Sequence, residues 1–331
     1  MGDGSDIAFR DWLGSISART AKVDNYPSKP TFTTDFLAGY RLIILAGLGD
    51  NSNTGPWWTF SAAEIAAFPD WVVKKGGGVI SLSGYSNDNN DIVAKNVLLA
   101  FSRISHRQDC NSPACTLVDA QNNKMCYRCG NPYQLTEWNR SDPVIANLSL
   151  GVTMIGVDGG RPIDAPADAH VAATVTQSTG VDNWLVGRIM GQGRVLVYAE
   201  EWITYTDQWR GDNGATDPSC NGQVPATLYQ TAQVWYNMVH WAQPNNNCFK
   251  IVDAQQPVTI WSEDRGWLVS VSWRGLLHRR QVVRGPKARG DRLQDQPRVC
   301  ERHLGPSPRW RRGRDRVVTS VLAIARLPCA E

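Results

Sequence analysis

The sequence predicts an α/β protein built on a mostly parallel sheet, and three observations carry that expectation. Arg41-Leu-Ile-Ile-Leu-Ala46 is a continuous apolar run of strand length, the pattern of a strand buried on both faces. Val79-Ile-Ser-Leu82 and Gly193-Arg-Val-Leu-Val-Tyr-Ala199 repeat it. The intervening segments have helical spacing and short links, and strand, helix, strand, helix is the order that right-handed parallel crossovers require.

Each element has a local reason. A short helix is expected around Phe9 to Ile16, then a polar stretch containing Pro27 and Pro30. Gly47 to Pro56 is loop by composition. Ser61-Ala-Ala-Glu64 is a capping box, since the serine accepts from a free amide of the first turn while the glutamate reaches back to the cap. It opens a helix over Ala62 to Lys75 with Ile65, Phe68, Val72 and Val73 on one face and Pro69 as a potential bend. Lys74 and Lys75 complement the negative helix end, and Gly76 to Gly78 supply the left-handed termination. Asn90 to Ile104 reads as the next helix, and Ala226 to Trp241 as the last. Leu148 to Val157 and Val171 to Val175 are further strand candidates.

The formal net charge of +3 conceals a division. Residues 1–264 hold 18 Lys+Arg against 26 Asp+Glu, whereas residues 265–331 hold 16 against 5. The organisation expected is therefore a domain over 1–250 with a cysteine-rich insert at 106–138, and a basic, poorly structured tail over 251–331. The tail has fifteen arginines and one lysine, a bias that fits either a disordered basic arm or an out-of-frame reading of GC-rich coding sequence. No segment is apolar for the eighteen or so residues that a membrane span needs, and the acidic start Met1-Gly-Asp-Gly-Ser-Asp-Ile7 lacks signal-peptide features.

Tyr40-Arg-Leu-Ile-Ile-Leu45, Ser61-Ala-Ala-Glu-Ile65, Trp71-Val-Val-Lys-Lys-Gly-Gly-Gly-Val-Ile-Ser-Leu82 and Gly193-Arg-Val-Leu-Val197 together resemble the class I glutamine amidotransferase-like superfamily. The ThuA-like (trehalose-utilisation) branch is the nearest in pattern, over roughly residues 36–243. The resemblance implies a flavodoxin-like three-layer sandwich. It also implies a nucleophilic cysteine at the turn after such a strand, with a His and a Glu after a later one. Here Ser83 stands at that turn, Glu200-Glu201 follows the later strand, and no histidine accompanies them. The amidotransferase triad does not carry over.

In an open α/β sheet, ligands sit at the carboxyl ends of the strands, so Ser83, Gly84 and Tyr85 mark the expected site. Candidate catalytic residues are Ser83, Glu200 and Glu201. Successive strand residues point to opposite faces, so one glutamate is expected in the cleft and the other toward solvent or a partner. Asp50, Trp57, Ser83, Gly84, Tyr85, Glu200 and Trp202 are the ligand-binding candidates, the aromatics offering stacking faces to a sugar. No histidine outside the tail is an obvious base for Ser83, whether His106, His170 or His240.

Cys110, Cys115, Cys126 and Cys129 lie in one short window. They read as two disulfides, with Cys220 and Cys248 as a third pair, and so as a secreted or periplasmic protein. The alternative is a structural zinc site, with no cofactor otherwise, in a cytoplasmic protein. The leading functional reading is a degenerate amidotransferase-like module that binds a small polar ligand or a protein partner. The alternatives are a carbohydrate hydrolase using Glu200 or Glu201, and nucleic-acid binding through the arginine-rich tail, which the acidic body opposes.

Overall fold

A computed structural model of the chain describes residues 7–16, 22–49, 56–83, 89–108, 133–134, 137–152, 154–155, 160–177, 180–204, 231–243, 258–262, 267–271 and 321–325. The chain divides into two compact units, Met1–Val252 with Asp315–Glu331, and Asp253–Arg314. In the first unit, α1 (Ile7–Ile16), β1 (Lys22–Tyr26), α2 (Thr34–Ala38), β2 (Tyr40–Leu45), α3 (Ala62–Lys75), β3 (Gly78–Leu82) and α4 (Asn89–Leu99) follow one another. Short strands β4 (Ser105–His106), β5 (Tyr133–Gln134), β6 (Met154–Ile155) and β7 (Ile163–Asp164) lead to β8 (His170–Gln177), β9 (Gly180–Met190), β10 (Gly193–Tyr198) and α5 (Thr231–Ala242). The second unit contains the antiparallel pair β11 (Val258–Ser262) and β12 (Trp267–Val271). Strand β13 (Val321–Ala325) belongs to the first unit again.

Nine strands form one sheet in the order β1-β13-β2-β3-β10-β9-β7-β4, with β8 also paired to β9. The three apolar runs are its centre: β2 pairs with β3 in parallel, with Val79 opposite Ile43, and β3 pairs with β10 in parallel, with Val79 opposite Val195. Leu42 to Leu45 and Val195 to Tyr198 have no exposed surface, as expected of strands covered on both faces. Antiparallel pairing is confined to the flanks. The architecture is α/β and flavodoxin-like, as the sequence predicts.

The capping box forms: Ser61 Oγ accepts from the Glu64 amide at 3.3 Å, and Glu64 Oε2 accepts from the Ser61 amide at 2.9 Å. Glu64 Oε1 additionally accepts from the Phe32 amide at 3.2 Å and pairs with Lys29. These bonds turn Glu64 inward. The buried stripe of α3 is consequently Glu64, Phe68, Trp71 and Val72, while Ile65, expected inside, is 37% exposed. Gly76 ends the helix at φ 73°, the left-handed conformation that favours glycine.

Other expectations are corrected. Residues 146–149 form a 3₁₀ turn rather than the start of a strand. Asn237 of α5 donates to the Leu148 and Leu150 carbonyls at 3.0 and 2.9 Å, supplying the partners that a neighbouring strand would give. Strand β9 has no sequence-level expectation, because Trp184 to Gly187 are buried consecutively and mask any alternation. Its turn into β10 uses Gly191 at φ 59°. Within residues 251–331, the described residues are those of β11, β12 and β13. Among the described residues, no helix is long and apolar enough to cross a membrane.

Burial acts to raise the Glu64 pKa, but the bonds from Lys29, Ser61 and Phe32 outweigh it and hold the carboxyl at about 2, below its ordinary 4.5. The stabilisation is fully present above pH 4.5 and is lost as pH falls toward 2. Glu64→Gln is expected to cost about 1.5–3 kcal/mol at neutral pH. Urea titrations from pH 7 to pH 2 should show the gap from wild type closing on acidification.

Candidate functional site

The carboxyl ends of β2, β3 and β10 lie side by side because the strands pair in parallel. The β3–β10 ladder continues one residue further, the Ser83 amide donating to the Tyr198 carbonyl at 3.1 Å. Ser83 Oγ then donates to the Ala199 carbonyl, which also accepts from the Arg161 amide at 2.7 Å. That amide lies 3.4 Å from Ser83 Oγ as well. A side chain at Gly160 would collide with the Ala199 carbonyl, so the glycine lets the 160–161 segment close against the strand end.

Glu200 and Glu201 are both buried, at 1% and 4% exposure. Neither therefore faces solvent, which the sequence allowed for one of them, and regular strand geometry stops at Tyr198. The Ala199 amide donates to the Trp184 carbonyl at 3.0 Å, and the Thr204 amide and hydroxyl both return to the Glu201 carbonyl. The chain thus coils into a 3₁₀ turn at Trp202–Thr204. Burial, and then the nearby Glu200 charge, push the Tyr198 phenol well above its ordinary pKa.

A second buried polar group lies behind this edge. Lys95 pairs with Asp91 one turn earlier on α4, and both side chains are almost wholly buried. The other Asp91 oxygen accepts from the Leu48 amide at 2.8 Å, fixing the chain that leaves β2. His106 Nε2 lies 3.0 Å from Ser81 Oγ, both residues fully buried. Asn96 holds the His106 backbone from both sides, accepting its amide at 2.9 Å and donating to its carbonyl at 2.7 Å. Burial, then the charges of Lys95 and Arg161, keep the imidazole pKa well below its ordinary value. His106 is therefore neutral at physiological pH.

The structure thus contains a serine–histidine contact, made by Ser81 and not by Ser83. Sequence reasoning missed it because His106 follows a helix and lies on a two-residue strand with no periodicity to read. The available signal was the Ser81-Leu-Ser83 spacing, which directs both hydroxyls to one face of β3. Of the remaining predicted residues, Trp57 is half-buried and bridges to Gly49, and the neighbouring Trp58 is buried with its amide donating to the Leu48 carbonyl at 2.9 Å. Trp202 lies in the turn after β10. Asp50, Gly84, Tyr85 and the cysteines Cys110, Cys115, Cys126, Cys129, Cys220 and Cys248 fall outside the described residues.

No protein-family model matches the chain, and no curated protein matches it. Among solved structures, it is similar to a cytoplasmic protein from Salmonella typhimurium LT2, at 16% identity and a TM-score of 0.40, over 71% of this chain and 87% of that one. It is also similar to the mmIFT52 N-terminal domain, at 14% identity and a TM-score of 0.44, over 66% of this chain and 84% of that one. A third likeness is to a protein from Bacteroides uniformis ATCC 8492 described as ThuA-like, at 12% identity and a TM-score of 0.34, over 66% and 76%.

Two outcomes are expected from this geometry. Removing either member of a buried ion pair strands the other charge, so Asp91→Asn and Lys95→Met should each cost about 3–5 kcal/mol. The double variant should cost much less than their sum, as read from a denaturant double-mutant cycle. For His106, the folded pKa lies below the unfolded value of 6.5, so below that pH the unfolded chain binds the extra proton and stability falls as pH falls. Subtracting the His106→Asn profile from wild type should leave a difference that is flat above pH 6.5 and slopes below it.

Proposed function

We propose that this domain is a ThuA-like member of the amidotransferase-like superfamily whose strand-end site binds a small polar ligand or a protein partner without covalent catalysis. The observation that carries the reading is the bonding of Ser83. The residue standing where the resemblance implies a nucleophilic cysteine is fully buried, and its hydroxyl is engaged by the Ala199 carbonyl and the Arg161 amide. A nucleophile must present its oxygen to substrate beside a general base. The imidazole of His106 contacts Ser81 instead. Motifs quoted from the sequence support the family assignment, and the parallel strand ends support the site's position.

The test is a panel of sugars, nucleotides and small carboxylates, read by tryptophan fluorescence and thermal shift. At least one class is expected to bind, and Ser83→Ala should retain that binding with a stability loss of about 1–2 kcal/mol. A panel with no response removes the small-ligand reading. Turnover of an ester, amide or glycoside that Ser83→Ala, Glu200→Gln or Glu201→Gln abolishes would replace the binding reading with a hydrolytic one.

A further inference from the structure

We infer that the gap between β1 and β2 is a strand-acceptor groove, and that residues 321–325 are a separable donor strand that fills it. The two walls of the groove run in the same direction, since both β1 and β2 pair antiparallel with β13. All five donor residues have a partner on each wall, from Tyr26 opposite Val321 to Lys22 opposite Ala325, and from Leu45 opposite Val321 to Tyr40 opposite Ala325 across one register shift. Among the described residues, β1 has no other strand neighbour. The donor therefore supplies the main-chain link between β1 and the sheet, beside the side-chain hydrogen bonds that Tyr40 of β2 makes with Asp24 and Tyr26 of β1.

Three observations make the donor separable. It comes from far away in sequence: the chain leaves the first unit at Val252 and contributes to it again only from Asp315. It runs antiparallel to both of its neighbours, whereas β2, β3 and β10 are parallel. Its pairing with β2 is irregular between Ile324 and Ala325. Withdrawal would leave the main-chain groups of a fully buried apolar strand, Leu42 to Leu45, without partners on one edge, a condition that natural sheets avoid by covering or pairing the edge. Such an edge accepts any extended apolar segment through main-chain hydrogen bonds. Val321-Leu-Ala-Ile-Ala325 has that chemistry, and its tether gives it an intramolecular advantage. The groove lies two strands from the Ser83 edge in the sheet order, so this inference does not rest on the binding proposal.

The experiment uses the full chain carrying Ala323→Pro, because proline removes a ladder donor at the centre of the strand. The probe is a fluorescein-labelled peptide of residues 319–327, read by anisotropy. The peptide is expected to bind the variant about tenfold or more tightly than wild type, whose groove is filled by a tethered copy. A peptide carrying the same proline should not bind. If the variant loses its native near-UV circular dichroism, excess wild-type peptide is expected to restore it. Equal binding to variant and wild type, or an unfolded variant that the peptide cannot restore, overturns the inference.

Discussion

The carbonyl of Ala199 is the point on which the site edge depends. It belongs to the residue after β10 and accepts both the Ser83 hydroxyl and the Arg161 amide. A carbonyl oxygen has two lone pairs, so the two donors occupy its capacity. Through it the β3 turn and the 160–161 segment are fixed to the same strand end. Gly160 is required for the approach, and the buried Glu200 and Glu201 follow directly after this junction.

The polar layer behind the junction shows how the sheet tolerates polar side chains in an apolar interior. A buried hydroxyl or charge is costly unless bonded. Ser81 meets His106, Lys95 meets Asp91, and the second Asp91 oxygen meets the Leu48 amide. A buried ion pair adds little net stability over an apolar pair. What this one provides is position, since Asp91 ties α4 to the segment leaving β2. The neutral state of His106 is consistent with that layout: a protonated ring would add a third buried cation to Lys95 and Arg161. Arg161 also donates to the Arg107 carbonyl at 3.0 Å, so the residue after Gly160 spans from the strand end to the chain leaving β4.

Much of the fold was legible because its centre obeys local rules. Three apolar runs became the three parallel strands, and Ser61 with Glu64 set the start of α3 to the residue. The inward face of that helix was misread by one position because Glu64 was read only as a cap, whereas its second oxygen also serves Lys29 and Phe32. Those partners are some thirty residues away and leave no local pattern. The turn at 146–149 was illegible for the same reason, since Asn237 serves the carbonyls of Leu148 and Leu150, whereas in β9 the consecutive burial of Trp184 to Gly187 hides any alternation. For the site, parallel pairing located Ser83 and Glu200 together. The contact between Ser81 and His106 joins residues 25 positions apart, and the Ser81-Leu-Ser83 spacing shows only which face of β3 the hydroxyl takes.

The hydroxyl of Ser83 faces two incompatible demands. Nucleophilic attack would need the oxygen to turn toward substrate, giving up its bond to Ala199 and its approach to Arg161. The two main-chain groups would stay bonded to each other at 2.7 Å, so the loss is the net worth of the serine's own hydrogen bond, about 0.5–1.5 kcal/mol. A reactive residue at a strand end is usually spared this conflict by a sharp turn that lifts it clear of the sheet. Here the amide of Ser83 still extends the β3–β10 ladder, so the residue remains part of the sheet. Its hydroxyl ties the β3 turn to the end of β10 and to the 160–161 segment.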